Sequence, residues 1–214
     1  ELKIPLWIDY DDNLLALPSD NPSFTTYNTA QTQENIAELL TMADVVSTST
    51  AALKQVYSVF NKNIQVIPNA INLDMFAPKQ KEQSNTFLWR GSATHQLDLM
   101  NYIEPLSHSI ASFKNWDWHF CGYYPWFLTQ GAQLNFTPIL DIIPYNQRIQ
   151  HIAPKCMFVP LADHNFNRCK SNIAALEGIL AGAVCIVPDW PEWQIPGTLK
   201  YKNPAEFKEQ LDNV

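Results

Sequence analysis

Residues 156–187, CMFVPLADHNFNRCKSNIAALEGILAGAVCIV, decide the fold class. The unbroken apolar run 156–160 is too short for a helix and reads as a buried strand. A polar loop follows, then a predicted helix over 170–180 and a second buried strand over 184–187. Strand, helix and strand at this spacing make one right-handed parallel crossover. The alternation continues outward. Upstream, strands are predicted over 86–89, 118–121 and 134–137, with helices over 95–113 and 145–152, the first kinked by Pro105. Downstream, a last helix starts near Pro204. Nearer the start of the chain, strands over 4–8, 45–48 and 64–67 alternate with helices over 33–42 and 50–60, the latter capped by Thr50. The polar run 77–84, APKQKEQS, is the only linker-like interior stretch and places an expected boundary between residues 78 and 79. The expected class is α/β, with doubly wound parallel sheets.

Composition narrows the function. The chain has 214 residues, more than one ordinary domain of about 150 and less than two. Hydrophobic residues are 46% and charged residues 16%, which supports a packed core and excludes a disordered chain. There are 6 glycines where about 15 are usual, and their positions allow neither a G-x-G-x-x-G fingerprint nor a P-loop. Any phosphate must be held by side chains and helix starts. The net charge of -7, with no basic stripe, argues against nucleic acid as a partner. The four cysteines, Cys121, Cys156, Cys169 and Cys185, form no C-x-x-C pair and read as buried thiols of a reducing compartment. No apolar run approaches the ~20 residues of a transmembrane span and no leader pattern begins at Glu1, so a cytoplasmic location is expected.

In doubly wound sheets ligands bind at the carboxyl ends of strands, here the loops after Trp89, Cys121, Thr137 and Pro160. Lys170 and Ser171 open the predicted helix 170–180, where free N–H groups and a cation suit a diphosphate; a solvated lysine and a plain cap are the alternative. Glu177, further along that helix, needs a polar partner if buried, and a ribose diol is one; an exposed position is the other. Arg90 could clamp a phosphate with its planar fork while Gly91 permits a tight turn into Ser92. His95 reads as a ligand contact or a surface residue, and Asp98 as ordinary first-turn helix chemistry. Asp9, Asp11 and Asp12 follow the first strand and could ligate a divalent cation.

Several stretches together resemble one family. The run Ala43-Asp44-Val45-Val46-Ser47-Thr48-Ser49, then Ile67-Pro68-Asn69-Ala70-Ile71-Asn72 and Phe76, is similar to a signature of GT-B glycosyltransferases of the GT4 type, the group 1 glycosyl transferases. Trp89-Arg90-Gly91-Ser92 with His95 and Asp98, Phe120-Cys121-Gly122, Asn165-Phe166-Asn167-Arg168-Cys169-Lys170-Ser171, Leu176-Glu177-Gly178 and Ala181-Gly182-Ala183-Val184 resemble its donor domain. The resemblance implies two Rossmann-like domains: a partial acceptor-side one over 1–78 and a nucleotide-sugar-binding one over 79–214. It implies that Arg90, Gly91, Ser92, Lys170 and Ser171 hold the donor diphosphate and that Glu177 binds the ribose. The base would lie near Pro138, Ile139 and Leu140, and the sugar near Asp163, Asn165, Asn167 and Cys169. The family pairs two glutamates eight positions apart; the second is Glu177 and the first falls on Cys169, so Asp163 or Asn165 would substitute. Trp190 and Trp193 would lie by a sugar-proximal loop, stacking on a ring or packing in the core.

The implied activity is that of a hexosyltransferase, retaining and metal-independent, with no cofactor. The implied partners are a UDP- or GDP-linked sugar and a glycan, lipid or protein acceptor, with a homo-oligomer left open. The expected acceptor side is short, as in a fragment of a longer reading frame or a reduced protein that needs a partner. Two other functions compete: a non-catalytic nucleotide-sugar-binding module, and a metal-dependent enzyme built on Asp9, Asp11 and Asp12.

Overall fold

The computed structural model describes residues 4–74, 82–128 and 134–214. The expected boundary at 78/79, most of the linker run and Phe76 lie outside those residues. Contacts group the chain into two units, Glu1–Asn69 with Asp163–Asn172, and Ala70–Ala162 with Ile173–Val214.

The first unit begins with β1 (Trp7–Tyr10), the short helix α1 (Phe24–Tyr27) and α2 (Ala30–Met42), then β2 (Val45–Thr48), α3 (Ala51–Tyr57) and β3 (Ile64–Val66). Both helix starts are capped from sequence-adjacent threonines: Thr29 accepts from Thr32 N–H, and Thr50 from Leu53 N–H at 3.1 Å. The strands pair in parallel in the order β1-β2-β3, with Val46 opposite Ile64. Ile36, Leu40, Val46, Leu53, Tyr57 and Ile64 form the core, joined by Cys169 from the returning segment. That segment is tied in by Thr50 Oγ1, which also donates to the Cys169 carbonyl at 2.9 Å.

The second unit contains β4 (Ser84–Arg90), α4 (Gln96–Asn101), α5 (Ile103–Ser112), β5 (Asp117–Gly122), β6 (Leu134–Pro138), α6 (Ile142–Ile152) and β7 (Pro154–Phe158). After α7 (Asn165–Arg168), which belongs to the first unit, come α8 (Ile173–Leu180), β8 (Val184–Pro188), β9 (Leu199–Tyr201) and α9 (Pro204–Asp212). All strand pairs are parallel, in the order β6-β5-β4-β7-β8-β9. The order reverses at β4, which places the ligand crevice expected of such sheets at the carboxyl end of β4. Along β4, Phe87 and Trp89 enter one core while Leu88 enters the other, so this central strand is buried on both faces.

The short helices α1 and α7 fall in stretches expected to be loops, and three larger departures from the sequence expectations follow. The helix predicted over 95–113 is divided at Tyr102, and Pro105 is the third residue of α5. The break upstream puts Pro105 in a first turn, where its missing N–H is no loss. The helix predicted over 170–180 begins only at Ile173, so Lys170 and Ser171 lie in a loop and not in a first turn. Strand β9 was not expected; its hydrogen-bonding partner β8 is what makes three residues a strand.

Two local constraints yield tests. Gly122 has φ +96° beside Gly91, and a Cβ there would overlap the Gly91 carbonyl oxygen. Gly122→Ala should lower unfolding stability by about 3 kcal/mol in urea titration. His119 is buried in β5, with Nε2 2.8 Å from Thr137 Oγ1, which also accepts from Arg148 Nε–H at 3.2 Å. Burial, with Arg148 nearby, lowers the imidazole to about 4. The folded protein therefore keeps His119 neutral while the unfolded chain takes up its proton below the ordinary imidazole value of 6.5. Stability should fall by roughly 3 kcal/mol as pH drops from 6.5 to 4, and His119→Gln should remove that slope.

Candidate functional site

In the second unit, the ends of β4, β5 and β6 and two helices enclose a cavity of about 310 Å³. Its walls are the 90–92 turn, Cys121 and Gly122, the 138–140 segment, and Tyr145 and Glu177. The tight turn exists because Gly91 N–H donates to the Cys121 carbonyl at 2.9 Å, with no side chain at Gly91 or Gly122 to keep the two strand ends apart.

Glu177 projects from α8, whose other residues are almost all apolar, and its side chain is only 10% exposed. It is therefore not the exposed surface glutamate that the sequence left open. Its Oε2 lies 2.9 Å from Arg90 Nε and accepts from the Tyr145 hydroxyl at 2.8 Å. The Arg90 N–H does not point along the contact, so this is a close ion pair and not an aligned hydrogen bond. Among the described residues the terminal nitrogens of Arg90 have no partner, which leaves its fork for an anion. The backbone of Ile139 and Leu140 borders the cavity, directly after Pro138, the last β6 residue paired with β5. Burial raises the Cys121 thiol to about 11, so it is uncharged and unreactive near neutral pH.

Beside this cavity Ser92 Oγ accepts from Thr94 N–H at 3.3 Å and caps a short turn. His95 Nδ1 lies 2.8 Å from Asp98 Oδ2, and Asp98 Oδ1 accepts from Ala162 N–H at 2.8 Å. Asp98 is thus a buried tie to the loop after β7, beyond ordinary first-turn chemistry. Trp190 and Trp193 are both buried in the core of this unit.

The remaining expected site residues belong to the first unit. Lys170 Nζ lies 3.3 Å from Asp12 Oδ1 and 4.4 Å from the centre of the Phe166 ring. Asn69 Nδ2 donates to Ser171 Oγ at 2.8 Å and to Asp11 Oδ1 at 2.9 Å. Asp9 accepts from Ser47 Oγ. The three early aspartates therefore face three different partners, and among the described residues no three metal-ligating side chains converge. Cys169 is 3% exposed and Asn167 1%, while Asp163 and Asn165 are exposed. Arg168 grips Asp163 through two bonds of 2.6 and 2.7 Å and holds its carboxyl below the usual carboxylate range.

Tyr145 escaped the sequence reading. Its signal was present, since Tyr145, Ile149 and Ile152 share one helical stripe packed on the core, and a phenol there needs a polar partner.

No family model and no curated protein matches the chain. Solved structures do. TarM superposes with a TM-score of 0.63 at 10% identity, over 86% of this chain and 39% of TarM. WaaG, a glycosyltransferase involved in lipopolysaccharide biosynthesis, gives 0.60 at 16% identity, over 89% and 59%. A UDP-forming trehalose-phosphate synthase from Burkholderia xenovorans gives 0.63 at 12% identity, over 99% and 60%. The chain spans about two fifths to three fifths of the length of these proteins. Parallel Rossmann-like sheets in this order and these superpositions identify the fold as that of the GT-B glycosyltransferases.

Proposed function

We propose that the chain carries the donor side of a glycosyltransferase that takes its sugar from a UDP- or GDP-linked donor, retaining and independent of metal. The observation that supports this most is the cavity at the carboxyl ends of β4, β5 and β6, where a cation, a held carboxylate and the 138–140 backbone line one space. In this reading the base lies along 138–140, Glu177 takes the ribose and Arg90 the diphosphate. Lys170 and Ser171 are assigned to the diphosphate on the family resemblance. During transfer the bond from the sugar's anomeric carbon to the diphosphate oxygen breaks, an acceptor hydroxyl oxygen bonds to that carbon, and the hydroxyl proton passes to the departing diphosphate or to water. Negative charge then grows on the departing diphosphate, and a fixed guanidinium stabilises it without a metal. For the sugar, exposure favours Asp163 and Asn165 over Asn167 and Cys169.

Burial of Cys169 at the first-glutamate position favours a second reading, a module that binds the nucleotide sugar without turning it over. Release of free sugar or a transferred product from the donor excludes that module.

The protein should bind UDP or GDP and the corresponding nucleotide sugars in the presence of EDTA, with a rise in melting temperature. Lys170→Ala and Glu177→Ala should each weaken binding about 10-fold by calorimetry. No binding of either nucleotide at millimolar concentration, with Lys170→Ala without effect, would refute the assignment.

A further inference from the structure

The Arg90, Tyr145 and Glu177 cluster contains an asymmetry. Both neighbours meet the same carboxylate oxygen: Tyr145 O–H at 2.8 Å and Arg90 Nε at 2.9 Å both reach Oε2. Among the described residues Oε1 has no partner. A glutamate carboxylate rotates freely about its last torsion, and two contacts on one oxygen stop that rotation. The Tyr145 hydroxyl takes one lone pair of Oε2, and the Arg90 guanidinium crowds the same oxygen as an ion-pair partner. A diol arriving in the cavity therefore finds Oε1 as the open acceptor.

The phenol suits this task. Tyr145 sits in the first turns of α6, its ring packed against the core formed by Ile149, Ala175 and their neighbours. Burial keeps its hydroxyl protonated far above neutral pH, so it donates to the carboxylate at every working pH. An O–H donor that cannot ionise and a ring that cannot swing give Glu177 one orientation.

We propose that Tyr145 is a positioning residue that makes the site select ribonucleotides over deoxyribonucleotides, by fixing Glu177 through Oε2 and presenting Oε1 to the ribose 2′-hydroxyl. The inference rests on the donor reading given above and adds to it a residue and a specificity. A deoxyribose would leave Oε1 confined against a carbon with no donor, and a fixed acceptor penalises that loss more than a mobile one. Without the Tyr145 hydroxyl the carboxylate can turn toward water or Arg90, and the penalty shrinks.

The test is the ratio of dissociation constants for UDP and 2′-deoxy-UDP, and for GDP and 2′-deoxy-GDP, measured by calorimetry on the full chain and on Tyr145→Phe. The wild type should prefer the ribonucleotide by about 10-fold, and the variant by about 2-fold or less, chiefly through weaker ribonucleotide binding. An unchanged ratio in a folded variant overturns the inference and leaves the donor reading standing. Failure of both UDP and GDP to bind the wild type overturns the donor reading and the inference with it. Should Tyr145→Phe not fold, 3-fluorotyrosine at position 145 gives the answer with the hydroxyl in place. Its fluorine resonance should move with the bound ribonucleotide and not with the deoxy analogue, and equal movement with both would count against Tyr145.

Discussion

The carboxylate of Glu177 cannot stand alone on a helix built from Ile173, Ala174, Ala175, Leu176, Ile179 and Leu180. A charge taken that far from water must be paired, and the pairing fixes much around it. Arg90 supplies the opposite charge from the last position of a central strand, and Tyr145 supplies a hydrogen bond from a different helix. For both to reach it, α6 and α8 must lie against the same face of the sheet, and the strand ends must come close together. Gly91 and Gly122 allow that closeness, since a side chain on Gly122 would meet the Gly91 carbonyl. The cavity follows from the same requirement: its floor is two glycine-bearing turns and its wall is the ion pair that holds the carboxylate.

The fold was largely legible in the sequence because it rests on local signals. Apolar runs too short for helices, caps such as Thr50 and the alternation of strands with helices are read within a few residues. Where the expectations failed, distant partners decided. Lys170 and Ser171 looked like the start of a helix, yet Asp12 and Asn69, more than a hundred positions away, hold them in a loop. Strand β9 is only three residues long and is a strand because β8 lies beside it. Pro105 shows a near miss of another kind: proline was expected to disturb the helix, and the disturbance falls three residues earlier, where it leaves proline in a tolerated position.

The candidate site divides in the same way. Arg90, Gly91, Glu177 and the 138–140 segment could be proposed from motif and strand position, and all of them border one cavity. Burial was not visible, and it separates the sugar-proximal group into exposed Asp163 and Asn165 and buried Asn167 and Cys169. The early acidic cluster shows why residue type alone misleads. Asp9, Asp11 and Asp12 look like cation ligands in sequence, but in the fold each is turned to its own neighbour: a serine, an asparagine and a lysine. The role of Tyr145 depended on a partner 32 positions away, which no local pattern could supply.

A crystal structure of the protein soaked with UDP addresses the central claim most directly. The account predicts uracil along the 138–140 backbone, a ribose hydroxyl about 3 Å from Glu177 Oε1, and phosphate oxygens on the Arg90 fork. Nucleotide density elsewhere on the molecule, with the cavity beside Arg90 and Glu177 left empty, would contradict it.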